Sequence, residues 1–558
     1  NAAIHVLAND EAELQAGTRQ PHSLVVRGNV GDCMDIQYRN HLTDANPIQE
    51  EFSKANMHPH MMHFDVQASD GVIIGMNYEQ SIRPSIDALQ GIEVLGGAEE
   101  CCVDRPAFRQ NEFTRYRWYL DIEMMAFWHL HLQGIFGFSM GLTGGTVTEP
   151  KGSEFLDRIT GEPIYRTHEE FPEPSEYKTT TVNHNTLADD PRVFGVIGKR
   201  GDEAPTGIGI MTRSISTPIN PVRPEIVNAG TEIADIMTSA DSGESNFREV
   251  AFWMTDDVNM LLADSNEFTT HMDGPSAVNQ RAERLDSRMR ETGVAPHAVF
   301  TSTGGEPSTP TVLAHPGDRV VFRLFTQGTQ DTHSFRFAGH RFGWERFNAD
   351  GRPIDATHEG IGSFQHYELM GGAGGPSNVP GDYMWYMPIG ALDFATGGWG
   401  ILRVGDPAGL RSIGNSGSTD VPDICAKATG TQTYNVAAIN SPSRTLQAAK
   451  IFVLADADGN PNLDEVAKGQ PLVMRANSGD CISVHLFNRL DEGHVGMTPG
   501  LLTLDPNSSY GFNFGQNAEG QTAAPGDDVT YTWYAEPQMK PADDSLINAE
   551  FGIGAKRQ

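Results

Sequence analysis

The chain has 558 residues, of which 38 % are hydrophobic, and with 59 glycines this composition is typical of folded globular domains. Its 73 acidic residues against 40 basic ones give a net charge of −33, which disfavours nucleic acid as a partner because it repels phosphates. The same charge suits attraction of cations or simple solubility. No segment has the roughly 18 uninterrupted apolar residues that a membrane span needs.

Short runs rich in β-forming residues are separated by glycine, proline, Asp-Gly and Asn-Pro throughout the chain. Examples lie at residues 23–27, 320–324, 400–404 and 472–475. Few segments keep a helical period for long, so many short strands are the better interpretation. The sequence therefore predicts an all-β protein built of sandwiches or barrels.

An internal repeat indicates tandem copies of one β-module. "IHVLAND" at 4–10 resembles "IFVLADA" at 451–457, and "YRWYLD" at 116–121 resembles "YTWYAE" at 531–536. Between these pairs, "QPHSLVVRGNVGDCMDIQYRNHL" matches "QPLVMRANSGDCISVHLFNRL". A third relative, "AHPGDRVVFRLF", lies at 314–325.

The repeat leads to a prediction of three domains. We expect domain 1 at 1–175, domain 2 at 176–405, a linker at 406–429 and domain 3 at 430–558. The third copy stops soon after its Tyr-x-Trp-Tyr strand, so we expect it to be truncated, with further residues in a longer polypeptide or a partner.

Five cysteines are too few for a disulfide scaffold but fit one or two disulfides in an oxidising compartment. Cys33 and Cys481 hold equivalent positions in the repeat. We expect Cys101 or Cys102 to pair with Cys33, and Cys425 to pair with Cys481. This predicts a secreted protein, periplasmic or extracellular.

Two His-x-His motifs lie in the first copy of the module. His58 and His60 belong to "NMHPHMMHFD", and His129 and His131 belong to "AFWHLHLQGIFG". Residues two apart on a strand share a face, so each pair can direct both imidazoles to one metal. Imidazole suits copper and zinc. The neighbouring residues are attributed mainly to packing: Met57, Met61, Met62 and His63.

These motifs resemble those of the multicopper oxidases, which consist of cupredoxin domains. The family's first domain has two His-x-His motifs about seventy residues apart, followed by a Gly-Leu-x-Gly strand, and here "GLTGGTVTEPKGSEF" follows the second motif. "NFREVAFWMTDDVNML" and the Tyr-x-Trp-Tyr strands look most like the large bacterial members, including the manganese-oxidising type. The resemblance implies tandem cupredoxin-like Greek-key domains.

The chain departs from the family in its second domain. Where the family has His-x-x-His-x-His, this chain keeps His333 but has Arg336 and Ala338, with His340 following. The resemblance leaves His333 and His340 as the remaining candidate ligands of this domain. Residues 385–388 replace the family's His-Cys-His, so no blue-copper site is expected there.

The resemblance implies copper as cofactor and half of a trinuclear copper site, supplied by the first module. The other half would come from the missing C-terminal part of the polypeptide or from a partner subunit, and homo-oligomers are a further possibility. Dioxygen would oxidise Mn(II), Fe(II) or a phenol. The alternative is a non-catalytic secreted protein of cupredoxin repeats that binds copper or builds a surface assembly, which the absent blue-copper ligands favour.

Overall fold

The computed structural model describes the chain in segments between residues 4 and 537. The described residues are 4–6, 10–18, 21–38, 40, 55–66, 69–72, 81, 114–131, 141–167, 226–228, 232–255, 276–328, 332–343, 353–357, 364–388, 395–414, 416–441, 450–464 and 471–537.

Strands dominate the described residues, and the predicted all-β class is confirmed. In these segments the α-helices are two short ones, α1 (Glu11–Gln15) and α2 (Leu285–Thr292). Neither is long and apolar enough to cross a membrane. The strands form several sheets with parallel as well as antiparallel neighbours, grouped below into three modules. The predicted domain boundaries stay a prediction.

The first module consists of two sheets that enclose a core of methionine, tyrosine and tryptophan side chains. Its strands are β1 (Leu24–Asn29), β2 (Cys33–Tyr38), β3 (His58–Pro59), β4 (His63–Phe64), β5 (Thr114–Tyr119), β6 (Met124–His129) and β7 (Thr143–Glu149). One sheet has the order β1-β7-β6-β3, with β1 and β7 parallel, and the other has the order β2-β5-β4.

The second module contains two larger sheets and two short strand pairs. The strands are β8 (Glu154–Leu156), β9 (Tyr165–Thr167), β10 (Ile226–Asn228), β11 (Ile233–Met237), β12 (Phe247–Thr255), β13 (Ala277–Val278), β14 (Thr311–Ala314), β15 (Val320–Gly328), β16 (Arg336–Phe337), β17 (Phe342–Gly343), β18 (Pro353–Ile354), β19 (Phe364–Glu368), β20 (Gly381–Tyr386) and β21 (Trp399–Val404). One larger sheet has the order β19-β15-β12-β11-β8, with β13 paired to β12, and the other has the order β14-β21-β20-β16. The short pairs are β9 with β10 and β17 with β18.

Strand β12 is buried on both faces, which explains the apolar run from Val250 to Met254. Trp253 and its neighbour Phe325 stack at 4.1 Å and face the first module. Gly145 of β7 meets them there, since a Cβ at this glycine would lie 2.6 Å from the Phe325 ring. The opposite face of β12 belongs to the core shared with the third module.

The third module is a five-stranded sheet. Its strands are β22 (Gly430–Asn440), β23 (Lys450–Leu454), β24 (Asp480–Arg489), β25 (Thr503–Leu504) and β26 (Asp528–Tyr534). Their order in the sheet is β23-β22-β24-β26-β25. Apolar residues from this sheet and from both large sheets of the second module form one continuous core.

The repeat between the first and third modules is present in the strand register. Cys33 of β2 lies opposite Tyr119 of β5, and Cys481 of β24 lies opposite Tyr534 of β26. Equivalent sequence positions thus make equivalent antiparallel pairs in the two modules.

The predicted disulfide between Cys425 and Cys481 is present and joins the segment before β22 to strand β24 of the third module. Cys101 and Cys102 lie outside the described residues, so the pairing of Cys33 stays a prediction.

Candidate metal centre

Two paired strands bring the His-x-His motifs side by side. Strands β3 and β6 are antiparallel, and His58 lies directly opposite His129. The His60 backbone N–H donates to the Phe127 carbonyl at 2.9 Å, which continues the pairing beyond β3. The imidazoles therefore converge at one end of the first module.

Three imidazoles come close enough to share a metal ion. One ring nitrogen from each of His58, His60 and His129 lies within 4.8 Å of the other two. The Nε2 atoms of His60 and His129 are 2.9 Å apart. The His60 ring also stacks on Phe127, with centroids 4.1 Å apart, which fixes its plane.

Backbone carbonyls fix the tautomers of two of these histidines. His58 Nδ1 lies 2.7 Å from the Asp70 carbonyl oxygen, and His129 Nδ1 lies 2.9 Å from the Leu130 carbonyl oxygen. A carbonyl only accepts, so each Nδ1 carries the hydrogen and each Nε2 keeps its lone pair. Metal-ligating histidines are commonly held in this way.

His131 stands beside the three-histidine group, and its side chain is exposed. Its ring centroid is 4.8 Å from that of His58 and 5.5 Å from that of His129. All four histidines of the two motifs are therefore brought together, three of them tightly.

Burial favours the neutral form of His60 and His129, the form in which an imidazole binds a metal. Burial, with the nearby histidine rings acting in the same direction, lowers the pKa of His60 to about 4 and that of His129 to about 3. Partial desolvation of the His131 ring, followed by the neighbouring His58, also lowers the pKa of His131. An Nε2 lone pair on a neutral imidazole is a ligand that suits copper or zinc.

Asp70 is a site residue that the sequence analysis missed. Its Oδ1 is 3.6 Å from His58 Nδ1, and its buried Oδ2 has no hydrogen-bond partner among the described residues. Burial raises the pKa of this carboxyl, although His58 acts in the opposite direction. The signal in the sequence was the Asp-Gly pair that follows the first motif within the same loop.

The aromatic residues near the motifs hold this loop in place. The Met57 backbone N–H donates to the Tyr116 hydroxyl at 3.2 Å, and Trp118 Nε1 donates to the Ser69 carbonyl at 3.1 Å. Gly71 has φ +86°, and a Cβ there would lie 2.2 Å from the Met57 carbonyl oxygen. The close approach of the two loop ends therefore requires glycine.

The third module contains the same loop without histidines. Trp533 Nε1 donates to the Ser509 carbonyl at 3.2 Å, and Gly511 has φ +86°. In "MTPGLL" at 497–502, Thr498 and Gly500 stand where "MHPHMM" at 57–62 has His58 and His60.

The other two predicted ligands lie in the second module, where both are buried. His340 Nδ1 is 3.3 Å from the Ala338 carbonyl oxygen, and its Nε2 accepts the Gly374 backbone N–H at 2.9 Å. Both ring nitrogens thus bond to the backbone, and burial lowers the pKa of His340 to about 4. His333 is buried in the segment just before β16.

The expected ligand positions of the second module are occupied by other interactions. Arg336 donates to the Asp355 carboxylate at 2.9 Å and to the Tyr386 hydroxyl at 3.2 Å. Ala338 and Trp385 lie in the hydrophobic core.

The methionines of the first motif differ in burial. Met57 and Met62 pack in the core of the first module. Met61 is 67 % exposed and has φ 60°, so the packing role predicted for its side chain does not apply.

No family model matches the chain, and no curated protein matches it. Among solved structures, a multicopper oxidase is 13 % identical, with a TM-score of 0.31, covering 68 % of this chain and 76 % of its own. The blue copper oxidase from Nitrosomonas europaea is 12 % identical, with a TM-score of 0.35, covering 69 % and 76 %. The multicopper oxidase mgLAC is 12 % identical, with a TM-score of 0.34, covering 70 % and 79 %. The interpretation of the site rests on its own residues.

Proposed function

We propose that the chain is a copper-binding protein of the multicopper-oxidase type, in which His58, His60 and His129 hold copper and His131 lies beside them. The observation that carries this proposal is the convergence of three ring nitrogens within 4.8 Å. The tautomers of His58 and His129 support it, because each presents an Nε2 lone pair to the site. Bound copper would supply one-electron redox chemistry toward dioxygen.

The residues around the histidines have roles that follow from their positions. Phe127 covers one face of His60 and keeps water from it. Asp70, buried and with a raised pKa, can hold a proton at Oδ2 next to the histidines. The Asp70 carbonyl oxygen keeps the His58 ring oriented.

As an oxidase component, the first module would supply half of a trinuclear copper site. The remaining ligands would come from further residues of a longer polypeptide or from a partner subunit. Mn(II), Fe(II) or a phenol would be the electron donor, and the net charge of −33 favours the metal ions. The Cys425–Cys481 disulfide supports a secreted location.

A second candidate is a non-catalytic, copper-binding protein of cupredoxin repeats. The ion pair of Arg336 with Asp355 and the burial of Trp385 favour it, because neither position can supply a copper ligand. On this alternative, the histidines of the first module bind copper without turnover.

Copper content after loading and dialysis tests the binding site. We expect the His129→Ala/His131→Ala variant to lose copper. The His297→Ala/His494→Ala variant is the control, because it removes another close histidine pair, with ring centroids 3.9 Å apart, and should keep copper. Equal copper content in wild type and the first variant would contradict the proposal.

Oxygen consumption with Mn(II), Fe(II) and a phenolic donor distinguishes the two candidates. We expect this chain alone to be a poor oxidase without an intense thiolate-to-copper absorption. Turnover that appears when a partner is added, and that His60→Ala abolishes, would establish the oxidase component. Copper binding with no turnover under any of these conditions would favour the non-catalytic protein.

A further inference from the structure

One buried amide joins the two histidine motifs to the loop that carries Asp70. Asn56 is completely buried and lies two residues before His58. Its Oδ1 accepts the backbone N–H of His131 at 2.9 Å, and its Nδ2 donates to the Gly71 carbonyl. A single side chain thus contacts both of the segments that pack against the first motif.

The first of these bonds acts on the peptide group between Leu130 and His131. The N–H of this peptide donates to Asn56, and its carbonyl oxygen accepts from His129 Nδ1. A planar peptide moves as a unit, so holding its N–H also fixes the direction of its carbonyl. Asn56 therefore orients the carbonyl that sets the tautomer of His129.

The second bond acts on the neighbouring loop. Gly71 receives the Asn56 amide, and the preceding Asp70 carbonyl accepts from His58 Nδ1. Fixing Gly71 limits rotation of the Asp70 carbonyl away from the His58 ring. The same amide thus supports both of the carbonyls that keep the hydrogen on Nδ1, and therefore the lone pair on Nε2, of His58 and His129.

The third module shows that the loop folds without this amide. Its loop keeps the tryptophan-to-serine bond and the left-handed glycine, but the residue equivalent to Asn56 is Gly496. A Cβ at Gly496 would lie 1.7 Å from the Gly511 carbonyl oxygen, so that loop closes directly on its own backbone. The amide is present in the module that has the histidines and absent in the one that lacks them.

We infer that Asn56 is a positioning residue that sets the Nδ1–H tautomers of His58 and His129 and so presents both Nε2 atoms to a copper ion. The inference deepens the proposed function and rests on it. Outer residues of this kind commonly change metal affinity by about 10- to 100-fold when they are mutated.

Two measurements on Asn56→Ala test it, with Asn488→Ala as the matched control. Asn488 is a buried asparagine of the third module whose amide donates to the Gly493 and Ala523 carbonyls. We expect Asn56→Ala to lower Cu(II) affinity about 10- to 100-fold in chelator competition and to change the EPR spectrum of the bound copper. Asn488→Ala should lower stability alone. Unchanged affinity and spectrum in a folded Asn56→Ala variant would overturn the inference.

The histidine tautomers, read from ¹⁵N chemical shifts of the metal-free chain, separate this inference from the proposed function. We expect Nδ1–H at His58 and His129 in the wild type and mixed tautomers in Asn56→Ala, whether or not copper binds. Asn56→Asp keeps the acceptor for His131 but loses the donor to Gly71, so only His58 should change. Unaltered tautomers in both variants would overturn the positioning role, whereas absence of copper binding by the wild type would overturn the proposed function alone.

Discussion

Arg27 of β1 and Glu249 of β12 form an ion pair across the contact between the first and second modules, with an N–O distance of 2.7 Å and no exposure of either side chain. Arg323 of β15 bonds to the same glutamate and also to Glu149 of β7. Burial would raise the pKa of Glu249, but the two arginines outweigh it and lower this pKa to about 2. The two modules thus share a buried network of alternating charges.

Removing one arginine of this network should be strongly destabilising. We expect Arg27→Met to lower the free energy of unfolding by about 3–5 kcal/mol, because it leaves buried carboxylates with too little compensating charge. Arg319→Met is the control, since Arg319 is partly exposed and pairs with Glu368 at 2.7 Å. It should cost about 1 kcal/mol or less. Urea unfolding measures the free energy of unfolding of both variants. Equal losses would contradict the claim that burial makes the Arg27 ion pair more sensitive to substitution than the Arg319 pair.

Acid should destabilise the second module through His340. Its pKa is about 4 in the folded chain, below the ordinary 6.5, because burial disfavours the imidazolium. Between pH 6.5 and 4 the unfolded state therefore binds more protons, so stability falls as the pH drops through this window, by about 3 kcal/mol in all. His340→Gln should flatten this part of the pH profile of thermal unfolding. A His340→Gln profile that runs parallel to the wild-type profile would refute the assignment.

The Cys425–Cys481 disulfide should contribute measurably to stability. The two cysteines are 56 residues apart, and closing a loop of this size stabilises by about 4 kcal/mol on the chain-entropy model. We expect Cys425→Ser/Cys481→Ser to lose about that much in urea unfolding. Wild type unfolded under reducing conditions should match the double variant. A double variant as stable as the oxidised wild type would show that the disulfide restricts the unfolded chain too little to affect stability.

Substitution of the equivalent glycines in the repeated loop should distinguish an effect on stability from an effect on metal binding. Gly71 and Gly511 both have φ +86°, and at each a Cβ would lie 2.2 Å from the carbonyl oxygen of a methionine, Met57 or Met497. We expect Gly71→Ala and Gly511→Ala each to cost about 1–3 kcal/mol from backbone strain alone. Only Gly71→Ala should also weaken copper binding. Thermal unfolding measures the stability of both variants, and chelator competition measures their copper affinity. Equal copper affinity in the two variants would contradict the placement of the copper site in the first module.

The sequence was sufficient for the features that local pattern controls. Alternating β-forming residues and glycine punctuation predicted the all-β class, and the Gly-Asp-Cys repeat predicted the Cys425–Cys481 bond. The two His-x-His motifs pointed to the four histidines that the strand pairing brings together.

The missed features depend on how distant loops pack. Asp70 and Asn56 act through carbonyls that approach them only after the loop has closed, so no periodicity marks them. The hydrogen bonds of both His340 ring nitrogens to backbone groups likewise depend on packing, which motif spacing does not show. Met61 is exposed and has a positive φ, and composition reveals neither feature.

The direct closure of the third-module loop has a consequence for how this chain can change. Histidines introduced at Thr498 and Gly500 would lack the support that Asn56 gives in the first module. The Gly511 carbonyl occupies the space that a side chain at position 496 would need. An asparagine at position 496 would fit only if the main chain at Gly496 and Gly511 moved apart. Two substitutions would remove the histidines of the first motif from the first-module loop. Introducing a supported histidine pair into the third-module loop would in addition require a change of its main chain, so loss of the site is easier than gain.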